Sequence, residues 1–300
     1  MANLNLELWS NEFAANLYET SDWYTVMKDW SSYSNGNIVH IPQAAAKSTP
    51  QAIDGTTSLP VATVAKTFQD ITFSIKNIAA EPRHVSLDQD LANTFEGRTK
   101  LSEDMLNELK QAVSIEIAYG VQPAAGAIST SGTSTRSNIY GQASVKALTY
   151  DDILDARTEL AKSKANLNML YMVVDPVMYS DILRMAEFKV ASELGDKVTV
   201  SGYVGEIAGI KVIQRNIGLA YTSLGAKPTI DLADGYDNTH FSSALVFDAS
   251  KAGYAKTATR IGVEEFATGY YTDVMQARTR VGASAMYENG EGVVAIIESV

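Results

Sequence analysis

The sequence predicts an α+β fold, and three observations carry that reading. One long helical pattern occupies residues 101–120. Strand-like stretches lie at 37–42, 68–78, 169–174, 209–214, 244–248, 261–286 and 293–297. Helices and strands are mixed without a strict βαβα repeat. The long helix is the most explicit element. Ser102 stands where an N-cap would, with Glu103 and Asp104 placing negative charge at the positive end of the helix dipole. Leu101 and Leu106 have the spacing of a hydrophobic staple. Leu106, Leu109, Val113 and Ile117 recur at helical intervals. Gly120 is read as the stop, and Pro123 forbids continuation.

Composition bounds the rest. The 300 residues suffice for one large domain or two, and 46% hydrophobic content supports a substantial core. Cysteine is absent, which excludes disulfides, thiolate catalysis and Cys-ligated metal centres. The start, Met-Ala-Asn-Leu, has no basic region leading into an apolar run, so no secretory signal is expected. No stretch reaches the apolar length of a membrane span. The formal charge of −11 comes without a basic patch of the kind a groove-reading nucleic-acid binder carries.

Along the chain, all three tryptophans fall in the first 33 residues: Trp9, Trp23 and Trp30. Leu6, Trp9, Phe13 and Leu17 form one helical stripe, and Ser21-Asp22 would cap a second short helix through Trp30. Two readings stand side by side: these aromatics fill the chain's own core, or they form an arm that docks on a neighbouring chain. Asn35-Gly36 reads as a turn. Ile38, Val39 and Ile41 belong to a first strand. In a second, Phe68, Asp70, Thr72, Ser74 and Lys76 are interleaved with Ile71, Phe73, Ile75 and Ile78. Between them, Gln43 to Pro60 has few large apolar residues and two prolines, and is expected to be mobile in isolation. The result is an extended hairpin that cannot bury both faces alone and needs a partner surface.

Leu87 to Phe95 reads as a short helical segment, and Gln122 to Tyr140 as a loop or irregular hairpin. Thr149 with Asp152 three residues on forms a capping box for a helix to about Lys164. Met169 to Val174 is a buried strand closed by Asp175-Pro176, and Val177 to Phe188 is a helix. Gly209 to Gln214, Ala244 to Asp248 and Val293 to Ile297 are further strands, with Asn289-Gly290 as a hairpin turn before the last.

Catalytic patterns fail. His40, His84 and His240 are too scattered for a triad or metal site. Gly202, Gly205 and Gly209 are not followed by the Lys-Ser/Thr of a phosphate loop, and there is no Gly-x-Ser-x-Gly elbow. Asp231, Asp234 and Asp237 are spaced three apart, which misses the calcium-loop pattern. No catalytic residue, cofactor or metal is expected.

The order of these parts resembles the major capsid proteins of tailed bacteriophages, which share the Hong Kong 97-type fold. The hairpin strands Ile38-Val-His-Ile-Pro42 and Phe68-Gln-Asp-Ile-Thr-Phe-Ser-Ile75 resemble the E-loop. Ser102 to Gly120 resembles the spine helix. Tyr150-Asp-Asp-Ile153, Tyr171-Met-Val-Val-Asp-Pro176 and Ile207-Ala-Gly-Ile-Lys-Val-Ile213 look like A-domain elements. Arg260 to Met286 resembles the P-domain hairpin. The resemblance implies an N-terminal arm over 1–36, an E-loop over 37–85, and a P-domain over 86–121 and 259–286 with its spine helix at 102–120. The A-domain would occupy 122–258 and 287–300.

It implies a structural protein, not an enzyme. Copies would self-assemble as hexamers and pentamers into an icosahedral head shell around the double-stranded DNA genome, without sequence-specific DNA binding. Further implied partners are a scaffolding protein, a portal and decoration proteins, and no membrane. The expected location is the virion capsid, assembled in the host bacterial cytoplasm. Trp9, Phe13, Trp23, Trp30, Ile38, Ile41, Phe68 and Phe73 are the candidate intersubunit contacts.

Some members of the family carry a helical scaffolding region before the arm. Here the arm starts almost at Met1, which implies a separate scaffold or a segment already removed. Some members cross-link through lysine and asparagine. Lys47, Lys66 and Asn289 are present, but no sequence context marks a reactive trio. The rival readings are a shell of the same fold around protein cargo, and a soluble enzyme using the loop from Asp231 to Asp237.

Overall fold

The structure is a computed structural model. It describes residues 23–33, 36–44, 68–85, 97–124, 128–185, 205–216, 218–223, 225–233, 235–267, 272–287 and 290–300. Among them two sheets enclose one long helix, α1, which runs Gly97–Val121. The helix starts five residues before the expected cap. Ser102 is therefore interior, and neither the cap nor the Leu101–Leu106 staple forms there. Leu101, Met105, Leu109, Val113, Ile117 and Val121 recur every four residues and pack in one core cluster, with Ala112 and Ala118 beside them. Met105, with no exposure, takes the place expected for Leu106, which is only half-buried.

A strict four-residue repeat advances about 40° beyond a full turn each time. The stripe therefore winds around the helix, and α1 touches both sheets. Its core cluster takes Met275, Ala277 and Val281 from one sheet and Val173, Leu245 and Phe247 from the other. The helix ends at Val121, one residue past Gly120. A Cβ on Gly120 would lie 2.4 Å from the Ala283 carbonyl oxygen, so glycine permits α1 to approach the first sheet.

The first sheet is built on the long strand Thr272–Ala285. Ala252–Lys256 and Arg260–Ala267 pair along one side of it, Lys76–Ala79 and Arg83–Val85 along the other. Met275, Ala277, Thr279, Val281 and Ala283 turn inward to α1, while Gln276 and Arg278 face solvent. Ion pairs from Arg83 to Asp104 and Glu108, and from Lys76 to Glu116, fasten these flanking strands to the helix.

The second sheet runs in the order Glu206–Ile207, Ile210–Gln214, Leu170–Val174, Phe241–Asp248, Val293–Ile297, Ile128–Ser129. Its side chains alternate between two cores. Met172, Val174, Ala244, Val246, Val294 and Ile296 meet helices α2 (Tyr150–Lys162) and α3 (Pro176–Arg184). Val173, Leu245, Phe247 and Val293 meet the α1 side. Covered on both faces, strand Phe241–Asp248 is buried at all eight positions.

The α2 capping box forms as expected: the Thr149 hydroxyl accepts from the Asp152 N–H, and the Asp152 carboxylate accepts from the Thr149 N–H. Asp175 caps α3 by accepting from the Met178 N–H at 2.6 Å, with Pro176 at the first helical position. That helix ends at Arg184. Its expected extension from residue 186 lies outside the described residues, as do the expected helical segment 87–95 and most of 43–60.

Two expectations near the start change. The helix expected through Trp30 is a single 3-10 turn, Trp23–Val26, followed by the short strand Lys28–Asp29. Pairing with Gly253 and Tyr254, and a hydrogen bond from the Trp30 N–H to the Tyr254 carbonyl, override local helical preference. The hairpin forms, with Ile38–Ala44 antiparallel to Phe68–Ser74. However, one face already has a partner in its own chain. Val39, Ile41, Phe73 and Ile75 pack with Ala255 and Met286, and Trp30 lies against them.

Candidate intersubunit surface

The hairpin register places Ile38 opposite Ser74, His40 opposite Thr72, Pro42 opposite Asp70 and Ala44 opposite Phe68. Directly opposed residues share a face. The face of Val39, Ile41 and Phe73 is the buried one. The other is outward, and Phe68 and Ile38 stand on it with 72% and 51% of their surface exposed. His40 and Asp70 form an exposed hydrogen-bonded contact on the same face.

The eight candidate residues therefore separate. Ile38 and Phe68 are open to a partner. Ile41 and Phe73 are buried under the hairpin by Met286 and Ala255. Trp23 is 3% exposed, donates its indole N–H to the Ser114 hydroxyl at 2.9 Å and meets the Phe247 ring edge-on at 6.1 Å. For Trp23, Ile41 and Phe73 the expected outward contact is corrected to a place in the chain's own core, because apolar surface from distant segments covers them first. Trp30 is intermediate. Its indole N–H points to the Met286 sulfur at 3.3 Å, and the Lys28 ammonium lies 4.5 Å from its ring centre. Trp9 and Phe13 lie outside the described residues.

The structure adds residues that the sequence reading missed. Tyr33 is 60% exposed and packs on Trp30 at 5.6 Å. Ile261 and Val263 are exposed apolar residues on Arg260–Ala267, which among the described residues pairs with the long strand alone. Alternation in this stretch was visible in the sequence. That α1 does not cover the inward side of Ile261 and Val263 was not.

Among the described residues no group of His, Asp and Glu is placed to hold a metal ion. In the acidic loop, the Asp231 carboxylate accepts from the Ala233 and Gly235 N–H groups. Hydrogen bonds from Thr239, with a further contribution from His240, hold the Asp237 carboxyl down at about 2. These carboxylates shape their own loop; Asp234 lies outside the described residues.

The buried charges are likewise engaged. Arg136 donates to Asp181 at 2.8 Å and to Glu298 at 2.6 Å. The Glu298 carboxylate also accepts from the Ser242 N–H, and the Ser242 hydroxyl donates to Asp175. Burial pushes the Asp175 and Glu298 carboxyls up. Burial works against the Arg136 charge, but hydrogen bonds and charge from Asp181 and Glu298 outweigh it and raise the guanidinium further. This network ties residues 136 and 298 to the second sheet.

No family model matches the chain. No curated protein matches it. Solved structures do. The capsid of Helicobacter pylori bacteriophage KHP30, from a structure described as acid-stable, matches with a TM-score of 0.71 at 11% identity, covering 98% of this chain and 96% of that one. The capsid of cyanophage P-SCSP1u matches with a TM-score of 0.67 at 16% identity over 98% and 92%. A chain of Mycobacterium phage Che8 gives 0.63 at 16% over 99% and 98%. Over nearly its whole length, this chain has the α+β fold of phage capsid structures.

Proposed function

We propose that this chain is the structural subunit of a tailed-phage head shell of the Hong Kong 97 type. The observation that carries the reading is whole-chain similarity to phage capsid structures, with neither partner of the comparison left with a large unmatched domain. Its role is structural and not enzymatic. Copies form hexamers and pentamers that close into an icosahedral shell through repeated heterologous contacts. The shell encloses double-stranded DNA without reading its sequence. The net charge of −11 limits adhesion of the shell to DNA. Scaffolding protein, portal and decoration proteins are the further partners, and assembly takes place in the host bacterial cytoplasm before the subunit resides in the virion. Within this reading, residues 1–36 act as the arm, 37–85 as the E-loop, 86–121 and 259–286 as the P-domain, and 122–258 with 287–300 as the A-domain.

The outward hairpin face is the first contact we assign to a neighbour, through Ile38 and Phe68. Removing Ala44 to Leu59 and bridging with a short Gly-Ser linker tests the wider role of the hairpin loop in assembly. Loop-closure entropy varies slowly with length, so circular dichroism and melting should stay nearly unchanged. Particles seen by light scattering and electron microscopy should disappear, with scaffold supplied where assembly needs it. Intact shells from the deletion would refute the role of the loop. A full-length chain that forms no particles with every assembly partner present would refute the capsid reading.

A further inference from the structure

The first sheet carries a basic cluster that is out of keeping with an acidic chain. Arg260 and Arg278 are direct cross-strand partners, and Arg280 lies two residues further along the same face of the same strand. Like charges opposed across a ladder destabilise it. Nothing in the packing requires them, because Arg260 and Arg278 are exposed. Among the described residues neither forms an ion pair with a carboxylate.

The three arginines line a concave site of about 430 Å³ with Asn37, Asn77 and Thr257. Among the described residues no carboxylate lines it. The Arg280 guanidinium donates to the Gly36 carbonyl at 2.9 Å and the Asn37 side-chain oxygen at 2.8 Å, which fixes one wall at the root of the hairpin. The site is thus a small hollow of hydrogen-bond donors with a cationic rim. Each planar guanidinium can match a carboxylate through two parallel N–H···O bonds.

We propose that this hollow is an assembly contact that receives carboxylate side chains of a second copy of this chain. The inference rests on the shell reading. Charge complementarity selects the occupant: the chain has 35 acidic residues against 24 basic ones, so every neighbouring copy brings surplus carboxylates. The site's restricted, walled shape suits side-chain carboxylates rather than the continuous backbone of a duplex. Occupation relieves the Arg260–Arg278 repulsion, so the charge arrangement that costs stability in the free subunit becomes favourable in the shell.

The test uses the full-length chain with whatever assembly partners the wild type requires. Arg260→Glu/Arg278→Glu should fold as the wild type does, because both positions are exposed, which circular dichroism and urea unfolding check. Its particle yield should fall at least about ten-fold, the equivalent of roughly 1.4 kcal/mol. In addition, Arg278→Lys chains, unlabelled and 15N-labelled, are mixed before assembly and treated with a zero-length carbodiimide. The site predicts cross-linked peptides pairing position 278 of one isotope with an acidic residue of the other. Wild-type yield from the reversed variant would overturn the proposal, as would cross-links only within one isotope or none at all in shells that form. Normal empty shells with loss confined to DNA retention would assign the hollow to phosphate and also overturn it. Absence of wild-type particles would instead count against the shell reading.

Discussion

Trp23 decides between the two readings of the N-terminal aromatics, so Trp23→Ala is the most informative single substitution. The indole is almost wholly buried, and deleting a buried aromatic side chain costs about 3–5 kcal/mol through lost burial and the cavity left behind. The hydrogen bond to Ser114 adds to this. Ser114 is itself buried on α1, and loss of its indole donor costs about 1 kcal/mol, since the hydroxyl can still turn to a helix carbonyl. The total, roughly 4–6 kcal/mol, is a large share of the 5–15 kcal/mol that holds a typical domain together. Urea unfolding followed by far-ultraviolet circular dichroism measures it, with Trp23→Phe as an intermediate variant that keeps a six-membered ring but loses both the donor and the pyrrole atoms. This variant should fall between wild type and Trp23→Ala, more than the ~1 kcal/mol of the hydrogen bond below wild type. A Trp23→Ala chain that unfolds within about 1 kcal/mol of wild type but forms no particles would refute the reasoning, because Trp23 would then be doing its work against a neighbour.

Three further outcomes follow from the same packing. Val113 is 1% exposed in the core around α1, so Val113→Asp should cost several kcal/mol and leave little soluble folded chain; normal solubility and unfolding would show that this face is open. Gly120→Val should melt well below wild type, because a Cβ at that position already lies 2.4 Å from the Ala283 carbonyl oxygen, whereas an unchanged melting temperature would mean that the helix and sheet separate freely. Arg136→Leu strands the buried Asp181 and Glu298 carboxylates and should cost about 3–5 kcal/mol near neutral pH. Burial already raises the Glu298 pKa, and loss of the cation raises it further. The carboxyl then takes up a proton as pH falls, so the variant's deficit relative to wild type should narrow in acid; a constant deficit across urea titrations at several pH values would contradict this.

What could be read from the sequence was what neighbouring residues decide among themselves. Thr149 with Asp152, Asp175 with Pro176 and the run Val293–Ile297 all carry their signals within a few positions, and each stands where it was expected. Ser102 and the stretch up to Trp30 carry equally good local signals, yet the structure departs from them. Ser102 lies inside a helix that begins at Gly97 and packs into the core from Leu101 onward. Gly120 answers to Ala283, and Lys28–Asp29 to Gly253 and Tyr254. The candidate surface divides in the same way. Alternation separates Ile38 from Val39 and Ile41, but only the arrival of Ala255 and Met286 decides which face is outward. Arg260 and Arg278 are eighteen positions apart, and no local pattern reveals that the strand register sets them opposite each other.

The buried hairpin face changes the physical account of assembly. From sequence, a long hairpin with too little apolar surface to bury itself must take its contacts mostly from neighbours. In the structure its root is already held: Phe73 and Ile75 pack with Met286, and a Cβ on Gly282 would lie 2.5 Å from the Ser74 carbonyl oxygen. Arg280 holds the entry to the first strand through Gly36 and Asn37. The hairpin root therefore has a direction before any neighbour arrives. Ordering a segment costs free energy at the moment of binding, and a segment oriented beforehand carries less of that cost into the association step. Two kinds of substitution on one strand should then differ in kind. Outward changes at Ile38 or Phe68 should weaken assembly while leaving the monomer's unfolding alone. Inward changes at Ile41 or Phe73 should first lower monomer stability, and weaken assembly because the hairpin has lost its fixed direction.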